Sequence, residues 1–200
     1  MPKEENLKSI ANFLYEAGML AKTPRSGFQF LGSGNQSVAE HTNRAVFISY
    51  VLAWMHGNKV DLDKVLKMSL FHDFAEARVS DLNYVHQKYT ERHEDKAVED
   101  MVSTVPFGDD IKEILDEYEE RQSIESKIAK DADNIEWIIA LKEQADIGNE
   151  RALVWIPPAV KRLKTEEAKR LVDVILKTDS DEWWFGEKDD SWWVNRNKKQ

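Results

Sequence analysis

A histidine–aspartate pair, His72-Asp73, follows the apolar run Met68-Ser69-Leu70-Phe71, with Glu76 one helical turn further on. A hydrophobic stripe holds a charge only where that charge is paired or bound to metal. On a helix, 72 and 76 share a face, as do 73 and 76, so the spacing predicts two potential ligands and one acid/base group aimed at one place. His41 lies on a second apolar helical face, behind Ser37-Val38-Ala39-Glu40. A third stretch, Lys130-Asp131-Ala132-Asp133-Asn134-Ile135-Glu136, offers two aspartates, and by spacing alone either one could reach a shared ion. Imidazole and carboxylate together suit Mn, Fe, Co, Ni or Zn. A set of four such ligands leaves room for water and substrate, which separates a catalytic site from a closed structural one. Each piece alone has an ordinary reading, since a core histidine bonded to a carbonyl is common; the combination carries the argument.

These residues need helices to position them, and the apolar spacing supplies helices. Val38, His41, Ala45, Ile48 and Leu52 recur at three and four. Ser37 and Glu40 form a capping-box pattern ahead of that helix, and Gly57 ends it. Asp61 is placed to cap the next helix, whose face includes Val65, Met68, His72 and Ala75. A third helix is expected over 88–104, a fourth over 109–121, and a fifth from Ser123 carrying Ile124, Ile128, Asp131, Ile135 and Ile138, with Asp133 alongside. A sixth is expected after the proline pair, over 158–177. Little strand alternation occurs, so the fold class is all-α, a single helical bundle over residues 1–178. An irregular Trp-rich tail over 179–200 holds four of the seven tryptophans. Bare tryptophan favours association, so the tail is expected to pack on the body or on a partner subunit.

Composition sets limits. At 42% hydrophobic and 32% charged the chain is of ordinary globular make-up. Zero cysteines remove disulfides, thiolate ligands and a cysteine nucleophile. The net charge of −9 argues against a nucleic-acid polymer as partner. No apolar run is long enough to span a membrane, and the charged start lacks a signal-peptide pattern; a cytoplasmic location is expected.

The order His41, His72-Asp73, Asp133 resembles the HD superfamily of metal-dependent phosphohydrolases. Ser-Val-Ala-Glu-His over 37–41, His-Asp-Phe-Ala-Glu-Ala over 72–77 followed by Ser80-Asp81-Leu82, and Lys-Asp-Ala-Asp-Asn-Ile over 130–135 resemble the HD-domain 5'-deoxynucleotidase family. Leu20 to Phe28, with Pro24-Arg25, resembles the N-terminal segment of that family, so the likeness covers about residues 10–148. It implies an HD-domain helical bundle with His41, His72, Asp73 and Asp133 as ligands of one divalent ion. Glu76 maps to the catalytic carboxylate, and Asp81 to an acid that positions substrate or water. Arg25 maps to a substrate-phosphate contact and Phe28 to the aromatic beside the substrate. The implied reaction is hydrolysis of nucleoside 5'-monophosphates by a homodimer. The chain departs from the family at Ser80-Asp81, where Gly-Asp is usual, at Phe28, where Trp is usual, and in its tail.

Other readings stand beside this one. Glu76 could pair with Arg78, Asp81 could cap the segment after it, Arg25 could be a surface residue, and Phe28 and Phe30 could be core aromatics. His86 and His93, seven apart, would serve a di-iron oxygenase as ligands of a second metal, although their surroundings read as a solvated face. Asp179, Asp181, Asp189 and Asp190 form a loose acidic cluster without Ca-loop spacing. A nonenzymatic nucleotide-binding helical module is the third functional class.

Overall fold

The computed structural model describes residues 4–57, 59–186 and 194. Its helices are α1 (Glu4–Ala17), α2 (Gly27–Leu31), α3 (Val38–His56), α4 (Leu62–Phe71), α5 (Glu76–Val79), α6 (Glu94–Val102), α7 (Gly108–Glu120), α8 (Ile124–Asp146), α9 (Glu150–Val160), α10 (Glu166–Ile175) and α11 (Glu182–Phe185). Among the described residues there is no strand, only an isolated bridge between Pro24 and Ser37. The fold class is all-α, as expected from the apolar spacing.

Local chemistry explains the main boundaries. The Ser37 hydroxyl accepts from Glu40 N–H while the Glu40 side chain accepts from Ser37 N–H, a full capping box at the start of α3. Asp61 accepts from Lys64 N–H and starts α4. Ser123 and Thr165 do the same for α8 and α10. The α8 helix is the axis of the bundle and packs against α3, α4, α7, α9 and α10. Its Ile128, Ala132, Ile135 and Ile138 meet Ile48, Leu52 and Val65 in the largest core cluster. Burying such side chains is the main favourable term in holding these helices together.

Three sequence expectations need correction. The helix expected over 88–104 starts only at Glu94, and a short 3-10 turn, His86–Lys88, precedes it. The sixth expected helix is two: the prolines lie in the last turns of α9, and α10 restarts at Glu166 behind the Thr165 cap. Pro157 and Pro158 cost α9 the amide donors that would reach Leu153 and Val154, and the side chains of those two residues lie on the exposed side of the helix. The third correction concerns the histidine–aspartate pair. Helix α4 ends at Phe71, and His72 is its C-cap. From there the bonds Phe74 N–H to Phe71 O, Glu76 N–H to Asp73 O and Ala77 N–H to Phe74 O are all i to i−3. A 3-10-type turn eclipses residues three apart, so Asp73 and Glu76 line up more closely than an α-helix would allow.

Of the expected tail, the described residues cover 179–186 and 194. Ser180 N–H donates to Asp146 at 2.9 Å, which ties the start of the tail to α8. Trp183 and Trp184 are 87% and 56% exposed. Trp192 and Trp193, like Asp189 and Asp190, lie outside the described residues. Among the described residues no helix is long and apolar enough to cross a membrane.

Ser80 closes α5 with φ 62° and ψ 161°. That region is almost confined to glycine, and a side chain there costs on the order of 1–3 kcal/mol. The strain is sustained because Asp81, the next residue, is fastened to the Arg25–Ser26 segment. Ser80→Gly is therefore expected to stabilise the fold by about 1 kcal/mol after the extra unfolded-state entropy of glycine is subtracted. Urea denaturation of the two proteins checks this; a less stable glycine variant would show the conformation to be unstrained.

Candidate metal centre

Four side chains converge where α3, the turn after α4 and α8 meet. His41 is fully buried on α3, and its Nε2 lies 3.2 Å from His72 Nε2. Asp73 Oδ2 is 3.5 Å from His41 Nε2 and 3.3 Å from His72 Nε2. Asp133 Oδ1, from α8, is 3.2 Å and 3.9 Å from the same two nitrogens. Ligand atoms of His41, His72 and Asp73 fall within 4.8 Å of one another, close enough to share an ion.

The hydrogen bonds fix which way the imidazoles face. His72 Nδ1 is 2.9 Å from the Ser69 carbonyl, which can only accept, so Nδ1 carries the proton and Nε2 keeps a lone pair. His41 Nδ1 likewise donates to Glu136 Oε2 at 2.5 Å. Two lone pairs 3.2 Å apart, with two carboxylates beside them, repel unless a cation lies among them. This donor set fits a divalent ion. In the metal-free protein a proton is the substitute. Burial and Arg25 disfavour a charge on His41, but Asp133 and Glu136 outweigh them and raise it to about 9. Desolvation alone would raise Asp73, yet His72, Arg25 and His41 hold it below the usual carboxylate range. Asp133 is depressed in the same way, with Lys130 the strongest of its cationic neighbours.

Glu136 escaped the sequence reading. It is fully buried, and its Oε1 accepts from Gln36 Nε2 at 2.6 Å and from Arg44 Nε at 2.9 Å while Oε2 holds His41. A carboxylate behind a ligating imidazole fixes its tautomer and direction. Its signal was present: Glu136 is one turn from Asp133, a charge within the apolar run of α8. Glu136→Gln is expected to weaken metal affinity by about 10–100-fold. The amide oxygen would take the position of Oε1, facing Gln36 Nε2 and both Arg44 Nε and NH2, and leave an NH2 against His41 Nδ1, which forces the proton onto Nε2. Isothermal titration with Mn measures the loss; unchanged affinity would remove Glu136 from the centre.

The remaining predicted residues are placed as follows. Glu76 is buried at the base of the turn; Oε2 has no hydrogen-bond partner, and Oε1 is 3.6 Å from Arg92 NH2. Burial, then Asp73 and Asp81, push its carboxyl up to about 9. The partner expected from sequence, Arg78, instead pairs with Glu16. Arg92 escaped notice because its segment reads as a solvated charged face. Arg25 is held by main-chain bonds across the bridge, Arg25 N–H to Gln36 O and Val38 N–H to Thr23 O. Its NH1 donates to Asp73 Oδ2 at 3.1 Å and lies 3.7 Å from Asp81 Oδ2. Asp81 also accepts from Ser26 N–H at 2.9 Å and Ser26 Oγ at 3.2 Å, so it anchors the loop that presents Arg25. Phe28 is half-buried and edge-on to Trp137, with ring centroids 5.3 Å apart. Phe30, expected in the core, is 41% exposed.

The structure also separates residues that spacing left open. Asp131 is fully buried but turned away from the cluster: it accepts from Lys164 N–H, Thr165 N–H and the Thr165 hydroxyl. His86 and His93 are exposed and do not join the His–Asp group, so the ligands a second iron would need from them are not at the centre. No further group able to hold a metal occurs among the described residues, Asp179 and Asp181 included.

A histidine from one helix, a histidine–aspartate pair from a helix end and an aspartate from a third helix make the signature of an HD domain. The HD-domain family pattern matches residues 17–174, and the chain belongs to that family. Among its relatives is the Bos taurus protein named 5'-deoxynucleotidase HDDC2, 28% identical over 148 residues, 71% of each chain. The Schizosaccharomyces pombe protein named 5'-deoxynucleotidase hdd1 is 26% identical and spans 88% of this chain and 92% of its own. A solved structure described as a conserved hypothetical protein from Pyrococcus furiosus superposes with a TM-score of 0.72 at 27% identity, covering 84% of this chain and 99% of its own.

Proposed function

We propose that this protein is a metal-dependent phosphohydrolase that removes phosphate from nucleoside 5'-monophosphates, with His41, His72, Asp73 and Asp133 holding one divalent ion. The observation that carries the reading is the pair of Nε2 atoms 3.2 Å apart, each ring turned so that Nδ1 faces an acceptor, beside the Asp73 and Asp133 carboxylates. The relatives named as 5'-deoxynucleotidases direct the choice of substrate. Such an ion supplies Lewis-acid chemistry, polarising a phosphoryl oxygen and making water nucleophilic near neutral pH.

The chain's own groups do the rest. Arg25 offers NH groups to the phosphoryl oxygens from the edge of the cluster, and a guanidinium fork suits that geometry. Asp81 holds the Arg25–Ser26 loop in register for the substrate. Glu76, kept neutral by burial, holds a proton for the departing sugar oxygen, or orients the attacking water once it has lost that proton. Phe28 is the aromatic on the substrate side of the same loop. The working unit is taken to be a cytoplasmic homodimer that acts on small phosphomonoesters and not on nucleic-acid polymers.

A phosphate-release screen over ribo- and deoxyribonucleoside monophosphates and sugar phosphates, with Mn, Co, Fe, Ni or Zn added, tests the reading. Release from 5'-monophosphates that stops on chelation is expected. A metal-loaded protein that binds nucleotides and hydrolyses none would establish the binding module instead.

A further inference from the structure

On the α7–α8 side of the centre, two cations surround one buried tyrosine. Tyr118, near the end of α7, is buried, and its ring lies edge-on to His72 with centroids 5.7 Å apart. Arg121 Cζ stacks 3.5 Å from the Tyr118 ring centroid, and Lys130 Nζ is 5.9 Å from it. Lys130 Nζ also donates to Asp133 Oδ2 at 2.7 Å, on the carboxylate whose other oxygen faces the histidines. The Tyr118 hydroxyl and Arg121 NH1 are shielded from water and have no hydrogen-bond partner. The remaining Arg121 contact, NH2 to Glu119 at 3.2 Å, is to a largely exposed side chain.

Arg121 is also in an unusual backbone state. It is the C-cap of α7 with φ 56°, a left-handed position where glycine or asparagine is favoured. A long cation there costs conformational energy and is repelled by Lys130; the stack on Tyr118 and the exposed Glu119 pair offset part of that cost but leave NH1 without an acceptor. Arg25, in contrast, is already engaged by Asp73 and Asp81.

We propose that Arg121 and Lys130, gathered around Tyr118, form a second cationic arm of the centre that grips the phosphoryl oxygens of the substrate. This rests on the phosphohydrolase reading and deepens it: the phosphate is held from two sides, by Arg25 across Asp73 and by Arg121 and Lys130 across Asp133. An anion between the two cations relieves their repulsion and gives the shielded donors a partner. The Lys130–Asp133 contact leaves Lys130 free to offer its other two hydrogens.

The test uses the full chain loaded with Mn. Arg121→Gly removes the guanidinium at a position whose backbone glycine suits, and Arg121→Asn is a second variant that tolerates the same φ. Inorganic phosphate is the probe, through its binding by titration calorimetry and its inhibition of phosphomonoester hydrolysis. Both variants are expected to keep one Mn per chain and an unchanged or higher melting temperature. They should bind phosphate about 10–100-fold more weakly, the scale of a charge-assisted hydrogen bond, with KM raised more than kcat is lowered. Wild-type affinity for phosphate in either folded variant overturns the arm, as does a wild-type protein that takes up Mn but not phosphate. A wild-type protein that binds phosphate but hydrolyses no monoester would instead overturn the hydrolase reading and leave the arm to be judged by binding alone.

Discussion

Asp133→Asn is expected to lose its metal, and Asp131→Asn is expected to keep it. The two residues are two apart on α8, both buried or nearly so, and differ in what faces them. Asp133 Oδ1 is 3.2 Å from His41 Nε2. An amide there is a weak, neutral ligand, and its NH2 would be turned toward groups that need a cation. Affinity for Mn should fall by about 10³-fold, roughly 4 kcal/mol, and turnover should fall with it. Lys130 loses its partner but can extend into water, so the fold should hold. Asp131 instead accepts three donors around the start of α10, from Lys164 and Thr165. In Asp131→Asn one NH2 must face a backbone N–H, which costs roughly 1–3 kcal/mol of stability with metal content unchanged. Metal analysis together with denaturant melts separates the two. If the variants exchanged these outcomes, the ligand set would be wrong.

Glu76→Gln should give a protein that is more stable and nearly inactive. In the metal-free protein burial, Asp73 and Asp81 raise the Glu76 carboxyl to about 9. The sign follows from that direction: the folded state binds the proton more tightly than the unfolded one. The contribution of Glu76 is therefore complete below its ordinary value near 4.5 and is lost as pH climbs from there toward about 9. Glutamine carries no such proton, so the metal-free variant should be more stable at pH 8 by roughly 1–3 kcal/mol and lose less stability with rising pH. Turnover should fall by about 10²–10⁴-fold, the usual value of a positioned acid/base group, while metal is retained. Melting temperatures from pH 5 to 9 and single-turnover rates check both halves. A variant that hydrolyses phosphomonoesters at the wild-type rate would show that Glu76 takes no part in the proton transfer.

How much of this was legible beforehand varies by residue. Apolar spacing and cap residues gave α3 and α7 to within a residue or so and the starts of α4 and α8, because the capping box at Ser37 and the caps at Asp61 and Ser123 act on their own neighbours; α4 stops at Phe71, short of the His72 and Ala75 expected on its face. The proline pair misled because prolines are commonest at helix starts, whereas here the exposed face of α9 tolerates the lost donors. The 3-10 turn after Phe71 was hidden because a pattern of threes and fours does not distinguish a tightened turn from a continued helix.

The chain's own order of residues determined that the fold would be helical, that cysteine chemistry was absent, and that a histidine–aspartate pair with distant histidine and aspartate partners was available. Those properties are local or compositional, and neighbouring residues suffice to set them. Only the tertiary structure decided which α8 aspartate turns to the histidines, that Glu136 stands behind His41, that Arg25 meets Asp73 and Asp81, and that Arg121 leans on Tyr118. The first three depend on how one packed segment sits against another; the last, between residues three apart, depends on the left-handed turn that ends α7. The buried faces of several segments settle that packing together, and no single segment encodes it.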